Sequence, residues 1–183
     1  MSDVTQIPAG TYTIDASHSE VGFTARHAMV TKVRGAFSDV EGTVTVGEDF
    51  AGSSARATIG VDSVDTRSAD RDGHLKSADF FDVEQHPSIT FTSTGVREVA
   101  GDRFVLDGDL TVKGVTKPVS LDAEYFGTAQ DPFGNTRIGF SATTEVDRET
   151  WGLSWNAALE TGGVLVSKKI VLTLEVSAIQ QAA

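Results

Sequence analysis

The stretch Arg137-Ile138-Gly139-Phe140-Ser141-Ala142-Thr143-Thr144-Glu145-Val146 decides the fold class. Ile138, Phe140, Ala142, Thr144 and Val146 share one face, and Arg137, Ser141, Thr143 and Glu145 share the other. Side chains alternate across a strand with period two, so this segment has one dry face and one wet face. That is the pattern of an antiparallel sheet packed on one side only. The alternation recurs on both flanks. Ile170, Leu172, Leu174 and Val176 oppose Lys169, Thr173 and Glu175. Val119, Leu121, Ala123 and Tyr125 oppose Ser120, Asp122 and Glu124. Phe104, Leu106, Gly108, Leu110 and Val112 oppose Arg103, Asp107 and Asp109. Ala57-Ile59-Val61, Ile89-Phe91 and Val44-Val46 come earlier.

Turn chemistry separates these runs. Ala100-Gly101-Asp102 closes a hairpin between 95–99 and 104–112. Lys113-Gly114 and Lys117-Pro118 bracket the next reversal, Asp131-Pro132-Phe133-Gly134-Asn135 forms a loop, and Gly162-Gly163 opens the last reversal. The count is roughly eight strands, which fits a closed up-and-down barrel and leaves a sandwich open. Two stretches break the alternation. Residues 26–34, with Ala28, Met29 and Val33, read as a short helix before Gly35. Residues 68–81 read as a second one, capped by Ser68 or Asp70, with Leu75, Ala78 and Phe81 on one side and Gly73 weakening it.

The chain has 183 residues, 39% of them apolar and 22% charged, an ordinary globular composition. Lys and Arg number 15 against 26 Asp and Glu, for a net charge of -11. Phosphate backbones are bound through positive charge, so a nucleic-acid partner is disfavoured, and so is an anionic lipid surface. A neutral apolar ligand is not. There is no cysteine, which removes disulfides, thiolate zinc sites and a Cys nucleophile. No apolar run approaches the ~20 residues of a membrane helix, and the polar segment 1–10 carries no secretory signal. The expected address is the cytoplasm, or the periplasm or exterior if a signal has been removed.

His18, His27, His74 and His86 show no metal-ligand spacing, so no metal is expected, although distant strands could still bring them together. No Gly-x-Ser-x-Gly elbow or phosphate loop occurs, and nothing marks a serine as activated, so no catalytic residue is assigned. Asp70/Asp72 and Asp79/Asp82 read as solvated faces and caps. The ten Phe are more informative. Val21, Phe23, Ala25 and His27 share a parity, so a strand that persists this far points His27 inward near a barrel mouth. Phe23, Phe37, Phe91, Phe104 and Phe140 read first as core. Small residues in phase with them (Ala25, Ala57, Gly108, Ala123, Ala142, Thr144) leave volume for a helix, water or a guest.

The ordered blocks of this sequence resemble the YceI-like family of bacterial lipocalin-like proteins. The first block is Tyr12-Thr13-Ile14-Asp15-Ala16-Ser17-His18-Ser19, then Val21-Gly22-Phe23, His27 and Gly35-Ala36-Phe37-Ser38. The second runs from Ser63 to Thr66, then from Arg71 to Val83, and on through His86-Pro87-Ser88-Ile89-Thr90-Phe91. The third covers Gly108 to Val119, and the last joins Arg148, Trp151-Gly152-Leu153 and 162–166. Each block alone is weak, whereas their order and spacing together are specific.

The resemblance implies an all-β fold: an extended eight-stranded antiparallel lipocalin-like β-barrel with one or two short helices. Residues 1–183 then form a single domain with its core at about 11–178. It further implies a tunnel that binds, carries or stores a long-chain amphiphile, a polyisoprenoid of the polyprenyl phosphate or quinone type, without turnover. Phe23, Phe37, Phe91 and Phe140 become tunnel wall, Leu75, Phe80 and Phe81 a lid, and His27 a contact near the head group. Arg26, Lys32, Arg34 or Arg71 would neutralise a pyrophosphate head. No cofactor is implied beyond that ligand, and a homodimer is open. The alternatives are an enzyme acting on a hydrophobic substrate in the barrel, with a buried His27, and broad sequestration of lipophilic compounds.

Overall fold

The computed structural model describes residues 2–160 and 162–182, and in it the alternating runs are strands of one closed sheet. In chain order they are β1 (Gly10–Ile14), β2 (Glu20–His27), β3 (Thr31–Phe37), β4 (Val40–Val46), β5 (Ser54–Gly60) and β6 (Val64–Asp65). α1 (Ala69–Lys76) follows, then β7 (Ser88–Ala100), β8 (Arg103–Val112), β9 (Val115–Gln130), β10 (Thr136–Asp147) and β11 (Lys169–Gln180). The ring runs β1-β4-β5-β7-β8-β9-β10-β11 and closes when β1 pairs with β11. It is an eight-stranded antiparallel barrel, and closure rules out the sandwich and removes the exposed edges of an open sheet.

Two of the eight staves are bent. β11 pairs with β1 through Ala178–Gln180 and with β2 through Val171–Glu175, so β1 and β2 are halves of one stave. β3 and β4 are the halves of the next, because β3 pairs only with β2 and β6 whereas β4 pairs with β1 and β5. Asp15 holds the first bend. Its carboxylate accepts from Nη1 of Arg137 (2.7 Å) and from Ser17 N and Oγ, and it meets Nδ1 of His18 at 2.8 Å. The Arg137 guanidinium, helped by Ser17 and His18, holds this carboxyl far below the usual carboxylate range.

The two ends of the barrel differ. At the β7–β8 end the N-terminal segment acts as a stopper. Val4 and Ile7 are buried among Tyr12, Phe104, Tyr125 and Ile138, and Val4 N donates to Gly101 O at 3.0 Å. At the other end stand the β2–β3 hairpin, the segment 148–168 and α1.

Several turns form where expected. Gly101 turns β7 into β8, and the Asp131 carboxylate accepts from Phe133 N and Asn135 N in the β9–β10 loop. Lys113-Gly114 alone reverses β8 into β9, both with positive φ, and Pro118 lies within β9 opposite Asp109. Lys117-Pro118 is therefore no turn. Residues 26–34 are no helix either. β-Branched Val30, Thr31 and Val33 favour a strand, and β2 and β3 pair out to His27↔Thr31, satisfying the backbone as a hairpin. The second helix does form, as α1. The Ser68 hydroxyl accepts from Arg71 N, and the helix stops at Lys76, short of Phe81.

Candidate functional site

The barrel is hollow. An upper chamber of about 530 Å³ occupies the hairpin end, and a lower one of about 160 Å³ lies behind it. Val21, Ile59, Leu110 and Leu172 line both, so one apolar partition separates them. The inward faces of the strands build this space. β2 supplies Val21, Phe23, Ala25 and His27, and β11 supplies Ile170 and Leu172 above and Leu174 and Val176 below.

Two rings make room by lying on glycine. Gly35 faces Phe23 across the β2–β3 pair, and a Cβ there would stand 2.2 Å from the Phe23 ring. Gly108 underlies Phe91 in the same way, at 2.4 Å. Replacing Gly35 with Ala should therefore push the Phe23 ring into the upper chamber. A loss of about 1–3 kcal/mol is expected, typical of overpacking. Thermal unfolding with and without a long-chain ligand checks it: the Tm falls, and the rise on adding ligand shrinks.

The roof of the upper chamber is aromatic and comes from two segments. The His74 ring meets Trp155 edge-on at 4.6 Å and Phe80 at 5.1 Å, and Nε2 of His74 lies 2.8 Å from the Asp79 carboxylate. Phe81 packs on Phe37, and Phe37 on Phe23. α1 is anchored through buried Thr66. Its N and Oγ1 donate to Asp72, while Arg71 Nε and Nη2 donate to Thr66 Oγ1 and O.

Arg148 ties down the other half of the roof. It is buried, and its guanidinium donates to the carbonyls of Ser167 (2.9 Å), Leu153 and Val166. The Phe80 ring lies over it, 5.8 Å from the guanidinium carbon. No carboxylate pairs with it among the described residues, and burial lowers its pKa below the usual arginine value. Asn156 completes the fold of this segment, bonding Val166 through N–H and carbonyl alike, and Trp151 Nε1 donates to Leu110 O.

The structure places each residue singled out from the sequence. Phe23, Phe37, Leu75, Phe80, Phe81 and His27 line the upper chamber, and Phe91 and Phe140 line the lower. Phe23, Phe91 and Phe140 are half-buried, whereas Phe37 and Phe104 line the chambers and are also buried in the core. His27 is exposed at the rim rather than buried. Arg26 and Arg71 reach the chamber, whereas Lys32 and Arg34 do not line it. Arg148, Trp151, Leu153, Trp155 and Leu165 also form wall, and no strand periodicity marks them. The available signal was a Trp-Gly-Leu-Ser-Trp run in a segment too polar to bury two indoles unless they dock.

Arg26, His27, Asp70, Arg71 and His74 are polar side chains of the upper chamber, whereas the lower one has Ser53, Ser54, Arg56 and Ser141 in its lining but an almost wholly apolar surface. In the lower chamber the apolar side chains include Phe91, Phe104, Phe140 and Leu174. Among the described residues, no three His, Asp or Glu side chains group as a metal ion needs. Ser17, His18 and Asp15 are neighbours, but Ser17 Oγ and Asp15 both meet Nδ1 of His18. A Ser-His-Asp triad engages the two ring nitrogens separately, so this trio is not arranged as one. Among the described residues, no helix is long and apolar enough to cross a membrane.

Comparison with known proteins agrees with this architecture. The YceI-like domain pattern matches residues 12–178. A UPF0312 protein of Staphylococcus aureus strain USA300 is 38% identical over 164 residues, covering 87% of this chain and 91% of that protein. The Campylobacter jejuni YCEI protein has 29% identity and a TM-score of 0.74, over 86% of this chain and 90% of that one. Burkholderia cenocepacia BcnA superposes with a TM-score of 0.78 at 21% identity, over 90% and 98% of the two chains. A domain from Saccharophagus degradans, described as polyisoprenoid binding, superposes at 0.68 with 16% identity, over 93% and 98%. The last two show likeness of fold. The closed barrel, its ordered motif blocks and the match across residues 12–178 make this chain a member of the YceI-like domain family.

Proposed function

We propose that this protein binds and carries or stores a long-chain amphiphile, a polyisoprenoid of the polyprenyl phosphate or quinone type. The tail lies in the two chambers and the head at the hairpin end. The observation that carries this reading is the end-to-end pair of chambers, about 530 and 160 Å³, the lower with an almost wholly apolar surface and the upper with Arg26, His27 and Arg71 on its lining. Such a site suits a guest whose one polar end sets its orientation. Each methylene taken from water contributes about 0.8 kcal/mol, so a tail reaching the lower chamber gains affinity without any dedicated charge. Ordering the tail and losing free motion offset part of that gain.

Phe23, Phe37, Phe91 and Phe140 contact the tail in this reading. Leu75, Phe80 and Phe81 cover it, and His27, Arg26 and Arg71 stand by the head. The neighbour described as polyisoprenoid binding supports the reading. Native mass spectrometry of the purified protein, followed by solvent extraction, tests it. One adduct per chain, extracted as a polyprenyl lipid, is expected. A protein that is empty and takes up neither polyprenyl nor quinone compounds refutes it. Weak uptake of many unrelated lipophiles marks a sequestering protein instead. A product differing from the ligand supplied marks an enzyme.

A further inference from the structure

The β2–β3 hairpin ends at the mouth of the upper chamber in an exposed apolar pair, Met29 (56% exposed) and Val30 (74%). Its turn is made by Ala28 and Met29, with φ of 51° and 66°. Val30 N closes the turn on His27 O at 3.1 Å. Such turns favour Asn and Gly, because other residues are strained at positive φ. Met29 packs in part on Gly163 yet leaves more than half of itself in water, at a conformational cost. The strands behind the tip carry Arg26, Lys32 and Arg34, and the register sets Arg26 directly opposite Lys32. Like charges facing each other across a pair are destabilising. None of the three meets a carboxylate among the described residues.

We propose that this hairpin tip docks on an anionic phospholipid bilayer, with Met29 and Val30 inserted at the headgroup level and Arg26, Lys32 and Arg34 on the lipid phosphates. Two protruding side chains offer far less than the ~800 Å² per partner of a stable protein interface, but they suit a bilayer. The net charge of -11 opposes binding of the protein as a whole. Charge is screened within about 8 Å at physiological salt, however, so the groups at the contact decide. Acids also stand at this end: Asp70 on the chamber wall, Asp147 and Glu149 on either side of Arg148, with Glu149 paired to Lys168, and Glu160 next to Leu159, whose N donates to Gly163 O. None of them forms an ion pair with Arg26, Lys32 or Arg34 among the described residues. The tip is joined to the chamber wall, since Ala28 N donates to Leu165 O (2.7 Å) and Leu165 lines the chamber. Docking there would bring the opening against the bilayer. That consequence rests on the lipid-carrier reading, whereas the docking itself does not.

Sedimentation with vesicles of equal parts phosphatidylglycerol and phosphatidylcholine, at physiological salt, tests the docking. The intact protein is expected to bind these vesicles and to ignore pure phosphatidylcholine. Met29→Asn with Val30→Ser should weaken binding by about tenfold or more, and so should the triple Gln variant of Arg26, Lys32 and Arg34. Asn tolerates positive φ, so the first variant should unfold no earlier than the parent. Phe133→Ser, at the exposed tip of the opposite end, should leave binding unchanged. No binding by the intact protein overturns the proposal, as does equal binding by the variants. Light scattering that shows a dimer converted to monomer by the tip variant, with vesicle binding intact, also overturns it. Ligand retention is read separately by mass spectrometry, so a protein that docks but is empty refutes the carrier reading alone.

Discussion

Replacing Arg148 with Met should cost about 2–4 kcal/mol of stability, because three carbonyls, one buried and two half-buried, lose a charged donor at once. Bonds to charged groups contribute more than neutral ones; the carbonyls of Ser167 and Leu153 depend on this guanidinium, whereas Val166 O also accepts from Asn156 Nδ2. The loss is less than the sum of three such bonds, since a buried cation without a carboxylate carries its own desolvation cost. For a domain of this size the expected fall in Tm is roughly 4–16 °C. Arg148→Lys should recover little, because an ammonium keeps the charge but lacks the fork that reaches three carbonyls. Thermal unfolding followed by circular dichroism measures both. An unchanged Tm in the Met variant would mean that 148–168 is held by Trp151 and Asn156 alone.

Val21→Trp should separate ligands by length. Val21 lines both chambers and faces Leu174 and Phe37 across its two strand pairings. An indole there fills the partition and keeps the tail out of the lower chamber. Excluding four or five carbons removes about 3–4 kcal/mol of apolar burial, or a loss of roughly 100-fold or more in affinity. A short-tailed ligand that fits the upper chamber should change by no more than about threefold, within ordinary surface-level effects. Titration calorimetry across a series of polyprenyl chain lengths measures this. Equal weakening at every length would show that the two chambers do not hold one tail.

The barrel was legible because its signal is local. Alternation in β8 to β11 depends only on neighbours two residues apart, and Gly101, Gly114 and Asp131 supply turn chemistry that few other structures use. The bent staves were not legible as such. Asp15 holds its bend through Arg137, more than a hundred residues away, and no period carries that pairing. The segment 26–34 misled because Ala28 and Met29 are ordinary helix residues. What decides it is pairing with β3 and with Leu165, again a distant partner. Alternation also marks which side chains point inward, and on that basis Phe23, Phe91 and Phe140 could be placed on the inner face. It is silent on whether the inside is filled. That depends on rings occupying the space over Gly35 and Gly108, a fact of packing rather than of pattern. Arg148 lay outside every strand pattern because its partners are backbone carbonyls, which leave no trace in residue type.

On the carrier reading, the two chambers hold a single long apolar tail. Electron density in a crystal of the protein purified without added lipid tests it most directly. One continuous tube of density is expected, from the rim at Arg26 and His27, past Val21 and Leu172, to the space beside Phe91 and Phe140. Chambers filled by ordered water or by inward-turned side chains, and unchanged after incubation with a polyprenyl lipid, would contradict it.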